Sequence, residues 1–236
     1  RCVPPLDRAA ITEHVREALA MAGVASEPEE PVEPTAAEPT APVLYFLGTG
    51  CAAPSKHRAP SAIYARLPNG DGLLLDCGEG ALGQLFRLLG ANAARAALAR
   101  LRLVWISHMH ADHHLGLARL LTAAAAAAAA PPPPPLLVVG PTQLGKWLDD
   151  YSALLGSAAL PYRFVANGRF RDARCLERRW LLETAPVIRI IPVPVDHCFD
   201  AWGVVVGFTS ECSRAYSGDT RPSGRFAAAA RGVTLL

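Results

Sequence analysis

The chain has 236 residues, 51% of them hydrophobic, enough to bury one sizeable core. Its 23 basic and 21 acidic residues leave a formal charge of +2, so no global field marks a partner and any contact with phosphate must come from a local patch. Six cysteines are scattered without a CxxC pair, which argues against a disulfide scaffold and predicts reduced thiols in an intracellular setting, with nucleus, mitochondrion, plastid and cytoplasm not distinguished.

Residue 1 is Arg, so the numbered chain is expected to start inside a longer product, with any targeting peptide out of view. Residues 12–22 have helical composition, but 26–42 are Glu, Pro, Ala and Thr, which cannot bury enough apolar surface to fold. Residues 1–42 are therefore expected to be a disordered or partly helical linker, and 43–236 the folded domain. The apolar run 43–47, closed by Gly48-Thr49-Gly50, predicts a buried strand. Residues 61–67 and 73–76, separated by Asn69-Gly70-Asp71-Gly72, predict a β-hairpin.

Helices are expected over 81–89 and 92–100, then a strand over 103–107 that runs straight into a histidine cluster. A helix over 115–130 fades into alanines and is stopped by five prolines, so 123–135 is expected to be a low-complexity insertion. The same prolines interrupt the longest apolar stretch well short of the roughly 20 residues that span a bilayer, and no membrane contact is expected. Strand 136–139, helix 143–155 and strands 187–195, 203–208 and 233–236 complete an alternating pattern that implies layered α/β packing.

The chemistry concentrates in His108-Met109-His110-Ala111-Asp112-His113-His114, placed directly after a strand so that its side chains converge from one short loop. Imidazole nitrogen and carboxylate oxygen suit Zn²⁺, and hydrolytic zinc sites keep a position open for water. More ligands must come from elsewhere, and His197 and Asp219 stand at strand ends. Alone, His197 reads as an ordinary core or surface histidine and Asp219 as a turn aspartate; their order after the cluster gives them weight.

Leu47-Gly48-Thr49-Gly50, Asp76-Cys77-Gly78-Glu79-Gly80, the histidine cluster and Ser217-Gly218-Asp219-Thr220 resemble the successive motifs of the metallo-β-lactamase superfamily. The resemblance implies an α/β fold, the αββα four-layer sandwich, incomplete at its C-terminus. It implies that His108, His110 and His197 hold one Zn²⁺, that Asp112 and His113 serve a second, and that Asp219 bridges them. Asp76 supports the cluster loop and, with Asp112, is assigned to catalysis; Asp112 would orient the attacking hydroxide or accept its proton. Cys77 and Cys198 adjoin these motifs but match no ligand, and both are set aside as small hydrophobes.

Pro54-Ser55-Lys56-His57-Arg58, Val138-Val139-Gly140-Pro141-Thr142 and His197-Cys198-Phe199-Asp200-Ala201-Trp202-Gly203 make the resemblance closer to the tRNase Z family, and to the catalytic C-terminal half of its long form. This implies a zinc-dependent endoribonuclease that removes the 3′ trailer of precursor tRNA, with Lys56 and Arg58 meeting phosphates and Ala59 standing where the family has asparagine. A homodimer, or a pseudo-dimer with an N-terminal half, is the implied assembly. Arg163, Arg169, Arg171, Arg174, Arg178 and Arg179 form either an RNA surface or a solvated face. The family pattern continues with a His-Glu-Ala-Thr-like loop and a final histidine, whereas this sequence stops at Val233-Thr234-Leu235-Leu236, so the second zinc is expected to lack a ligand and the piece to be poorly soluble and nearly inactive. The alternatives are another hydrolase of the same fold acting on a small ester or cyclic nucleotide, and a non-catalytic RNA- or partner-binding remnant.

Overall fold

The computed structural model describes residues 41–127, 135–155 and 162–235. Residues 1–40, which hold nearly all of the expected linker, lie outside them, as do residues 128–134 of the Ala/Pro insertion. Strands β1 (Val43–Gly48), β2 (Ala62–Arg66), β3 (Gly72–Leu75), β4 (Leu101–Trp105), β5 (Leu136–Gly140) and β6 (Tyr162–Ala166) form one sheet in that order. The β1-β2-β3 part is antiparallel and β3 through β6 is parallel. Strands β7 (Arg189–Pro194), β8 (Trp202–Gly207) and β9 (Ser213–Tyr216) form a second, antiparallel sheet.

Strand alternation explains how uninterrupted apolar runs fill two cores at once. Leu74, Val104 and Val138 face helices α1 (Ala81–Ala99), α3 (Leu117–Ala127) and α4 (Thr142–Leu155), together with Leu85, Leu98, Leu120 and Leu144. Their neighbours Leu73, Leu75, Leu103, Trp105, Leu137 and Val139 point the other way and meet Ile190, Val204 and Val206 of the second sheet. The outer face of that sheet offers Val193, Val205 and Ala215 to Phe226 of α7 (Gly224–Ala229). Helix, sheet, sheet and helix thus form the four expected layers.

Several elements differ from expectation. The two helices expected over 81–100 are one element with a break at Gly90, whose φ of 73° leaves the helical region. The histidine loop is partly helical: α2 (Ala111–His114) is a single turn in which the His113 amide donates to the His110 carbonyl and the Leu115 amide to Ala111. The strand expected over 233–236 is only a bridge from Leu235 to Arg214, because the Thr234 and Leu235 amides both donate to the one Ser213 carbonyl. Strands β6 and β9 and helices α5 (Asn167–Phe170), α6 (Leu176–Thr184) and α7 were not anticipated. Their sequences are short and each is interrupted by Arg, so they carry little periodicity.

Candidate metal centre

The parallel strands β3 and β4 end side by side, with the Asp76 amide donating to the Trp105 carbonyl at 2.7 Å, and that register brings two motif loops together. The second sheet reaches the same place, where the Trp202 amide at the start of β8 donates to the Ser107 carbonyl. Gly218, at φ 57°, lies so close to Ser107 that an added Cβ would sit 2.6 Å from its side chain. Crevices at strand carboxyl ends are where open α/β sheets collect polar groups.

His108 Nε2 lies 3.0 Å from His110 Nδ1, and His197 Nε2 lies 3.0 Å from the same atom. The three rings stand nearly perpendicular to one another, at 79°, 86° and 84°, so their nitrogens point inward at one shared point. On the adjoining side His113 Nε2 faces Asp112 Oδ2 at 3.6 Å and Asp219 Oδ1 at 3.5 Å. The other oxygen of Asp219 faces His197 Nε2 at 3.8 Å, so one carboxylate stands between both groups. Converging nitrogen lone pairs with a neighbouring carboxylate are a donor set that fits a divalent cation.

Asp76 fixes which nitrogens converge. Its Oδ2 accepts hydrogen bonds from Ser107 Oγ at 2.7 Å, Tyr216 Oη at 2.5 Å and His113 Nδ1 at 2.6 Å, while Oδ1 accepts from the Ser107 amide. Since the Ser107 hydroxyl proton goes to Asp76, its oxygen is left to accept from His108 Nδ1 at 2.9 Å. The network therefore assigns a proton to Nδ1 of both His108 and His113, and leaves each Nε2 with a lone pair facing the centre. Both oxygens of the fully buried Asp76 are thus occupied by hydrogen bonds within the protein, as a residue that supports the cluster loop requires.

Burial, helped by the neighbouring His113, pushes His108 down to about 4. Burial also opposes charge on His113, but the hydrogen bond and charge of Asp76 outweigh it and raise that pKa. Burial would raise Asp112, yet the Ala52 amide, donating to Oδ2 at 2.7 Å, and nearby histidines hold it below the usual carboxylate range. Tyr216 is driven well above its ordinary value by burial and by Asp76, so it remains a donor.

Sequence reasoning gave no role to several parts of this site, Asp200 among them although it stands inside the motif 197–203. Ser107 and Tyr216 carry no motif signal of their own, although each adjoins one. Asp200, at φ 57°, clamps two loops: its carboxylate accepts from the Thr142 amide at the start of α4 and from Trp202 Nε1 at 2.6 Å. Cys198, set aside from sequence, has its thiol grouped with the His108, His110 and His197 nitrogens, all within 4.8 Å of one another. Lys56 and Arg58 are exposed on the return between β1 and β2, held by mutual backbone hydrogen bonds of Ser55 and Arg58. The same return carries Ala52, which contacts Asp112.

Part of the arginine stretch is paired within the chain. Arg163 pairs with the buried Glu177 at 2.8 Å, Arg174 pairs with Asp172, and Arg178 donates to the carbonyls of Arg171 and Ile190. Among the described residues, no helix is long and apolar enough to cross a membrane.

A family model described as "Anti-Pycsar protein Apyc1" matches residues 43–224. The chain belongs to that family. It is also a homologue of tRNase Z, within the metallo-β-lactamase fold. The zinc phosphodiesterase ELAC protein 2 of Macaca fascicularis is 38% identical over 204 residues, covering 83% of this chain and 25% of that protein. The mitochondrial tRNase Z TRZ3 of Arabidopsis thaliana is 32% identical over 240 residues, covering 82% of this chain and 27% of that one. The long-form RNase Z from yeast superposes with a TM-score of 0.69 at 20% identity, over 94% of this chain and 36% of that structure, a likeness of fold. The chain spans about a quarter of the length of these curated relatives. A metal cofactor fits both the name of the zinc phosphodiesterase relative and the donor set of this chain.

Proposed function

We propose that this chain carries the metal centre of a zinc-dependent endoribonuclease that removes the 3′ trailer from precursor tRNA by phosphodiester hydrolysis. The observation that carries the reading is Asp219, whose two oxygens face His113 on one side and His197 on the other, as a carboxylate shared by two Zn²⁺ would. In this reading His108, His110, His197 and Asp219 hold the first ion, and Asp112, His113 and Asp219 the second. When bound, a zinc pair supplies an activated water and offsets charge on the attacking and leaving oxygens.

The chain's own residues do the rest. Asp76, through Ser107 and directly, holds His108 and His113 with Nε2 inward. Asp112, pinned by the Ala52 amide, has a low pKa and so stays a carboxylate able to orient a water or take its proton. Lys56 and Arg58, on the return that also carries Ala52, offer charge to the phosphates flanking the scissile bond.

The test is to incubate the zinc-loaded full-length protein that contains this segment with a precursor tRNA bearing a 3′ trailer. Cleavage just after the discriminator base is expected. Turnover of a small phosphodiester with the precursor left intact would move the assignment to another hydrolase of this fold.

A further inference from the structure

We propose that Arg171, Arg178 and Arg225 line a cleft beside β7 that binds backbone phosphates of the RNA substrate along the approach to the metal centre. The inference rests on the endoribonuclease reading above and adds to it a surface on which that substrate lies.

A cleft of about 340 Å³ lies beside β7, lined by these three side chains, by Ile191 to Pro194 and by Ala229 of α7, with no acidic residue among them. Arg171 follows α5 and Arg178 stands in α6, and neither has an ion-pair partner among the described residues, unlike Arg163 and Arg174 of the same stretch. Arg225, on α7, meets one exposed carboxylate, that of Asp196, at 3.2 Å. Three guanidinium groups against one carboxylate leave a local surplus of two positive charges, as large as the formal charge of the whole chain.

The charge is also held in place. Arg178 donates to the carbonyls of Arg171 at 3.3 Å and Ile190 at 3.0 Å, which ties its guanidinium to both the loop and the strand. Its Nε is buried without a hydrogen-bond partner, an unmet donor of the kind that a phosphate oxygen satisfies. A guanidinium fixed in advance loses little freedom when it binds an anion. β7 is the terminal strand of its sheet, but Pro192 and Pro194 carry no amide proton and oppose the addition of a peptide strand. Charge is therefore what this edge offers a partner. Ile190 to Asp196 covers roughly 20 Å of extended chain, and Asp196 directly precedes His197, whose Nε2 stands 3.0 Å from His110 Nδ1 in the metal centre. The arginines thus flank the segment that leads to the centre.

The experiment measures binding of a precursor tRNA to the zinc-loaded full-length protein that contains this segment, by fluorescence anisotropy over a series of salt concentrations. Arg171→Ala combined with Arg225→Ala should weaken binding about tenfold at low salt, and should make the fall of log affinity with log salt shallower by about one to two. Arg171→Lys combined with Arg225→Lys keeps both charges and should keep the slope. Zinc content and melting temperature report whether each variant is folded; if the alanine pair is unstable, Arg171→Ala alone carries the same test with about half the change in slope. An affinity and slope unchanged by the alanine substitutions, or a lysine pair whose slope falls as far as theirs, would overturn the proposal. If the unaltered protein binds no precursor tRNA, the endoribonuclease reading itself fails, and this inference with it.

Discussion

At Asp76 one buried carboxylate accepts from Ser107, His113 and Tyr216, and through them sets which nitrogen of two histidines is left for a cation. Asp76→Asn turns one acceptor oxygen into a donor that meets other donors. We expect zinc affinity to fall about 10–100-fold, as for other groups that orient ligands, measured by competition with a chromophoric chelator. Asp112→Ala should abolish RNA cleavage while leaving tRNA binding within about twofold, because phosphate contacts rather than the ligand aspartate carry most binding. Lys56→Ala should raise KM and leave kcat nearly unchanged; a variant affecting only kcat would place Lys56 elsewhere in the mechanism.

The histidines also give a pH dependence. His108 has a folded pKa near 4, below its usual 6.5, so the unfolded chain binds more protons between those values. Its contribution to the stability of the metal-free protein is present above pH 6.5 and is lost as pH falls toward 4. His114, lowered first by burial, acts in the same direction, while His113, raised by Asp76 against its burial, opposes them. The downward shift of His108 is the largest of the three, so the melting temperature of the metal-free protein should fall from pH 7 to pH 4.5. A midpoint that rises over that range would show that His113 dominates.

At the level of elements, the centre depends on backbone segments that approach more closely than any side chain permits. A Cβ on Gly78 would lie 2.4 Å from the Asp112 carbonyl, and one on Gly116 would lie 2.3 Å from the Gly78 carbonyl. Gly78→Ala must therefore push α2 away from the end of β3, and should remove zinc binding with only modest loss of secondary structure by circular dichroism. Asp200→Ala releases the first turn of α4 and the Trp202 indole together. A cost of about 1–2 kcal/mol in denaturant unfolding is expected, the size of a lost helix cap plus a hydrogen bond.

This scale also explains what the sequence could and could not disclose. The strand before His108 and the hairpin before Asp76 were legible because apolar runs and Asn-Gly turns are local signals. The orienting contacts were not: Tyr216 reaches Asp76 across 140 positions, and nothing near Tyr216 announces a partner. Cys198 was set aside because it matches no ligand of the resemblance; only the fold shows its thiol near the His108, His110 and His197 nitrogens. The arginines of 163–179 looked like one charged surface, since sequence does not reveal that Glu177 is buried beneath Arg163.

Across the molecule, the two sheets serve one edge: β3 and β4 deliver Asp76 and the histidine cluster, β7 leads to His197, and β9 leads to Asp219. The alternating pattern implied layered α/β packing and the resemblance implied the order of the layers; β4 and β5 fit it, being apolar on both faces and so covered twice. The centre exists only if both sheets hold their register. In the proposed reading the first ion would have four donors among the described residues and the second three, so the second is expected to bind more weakly, seen as two phases in a zinc titration. The most direct test of the whole account is anomalous scattering at the zinc edge from crystals of the zinc-loaded protein. A peak among His108 Nε2, His110 Nδ1, His197 Nε2 and Asp219 Oδ2 is predicted, with a second, weaker one beside Asp112 and His113. Zinc found only elsewhere on the molecule, with those side chains unoccupied, would contradict it.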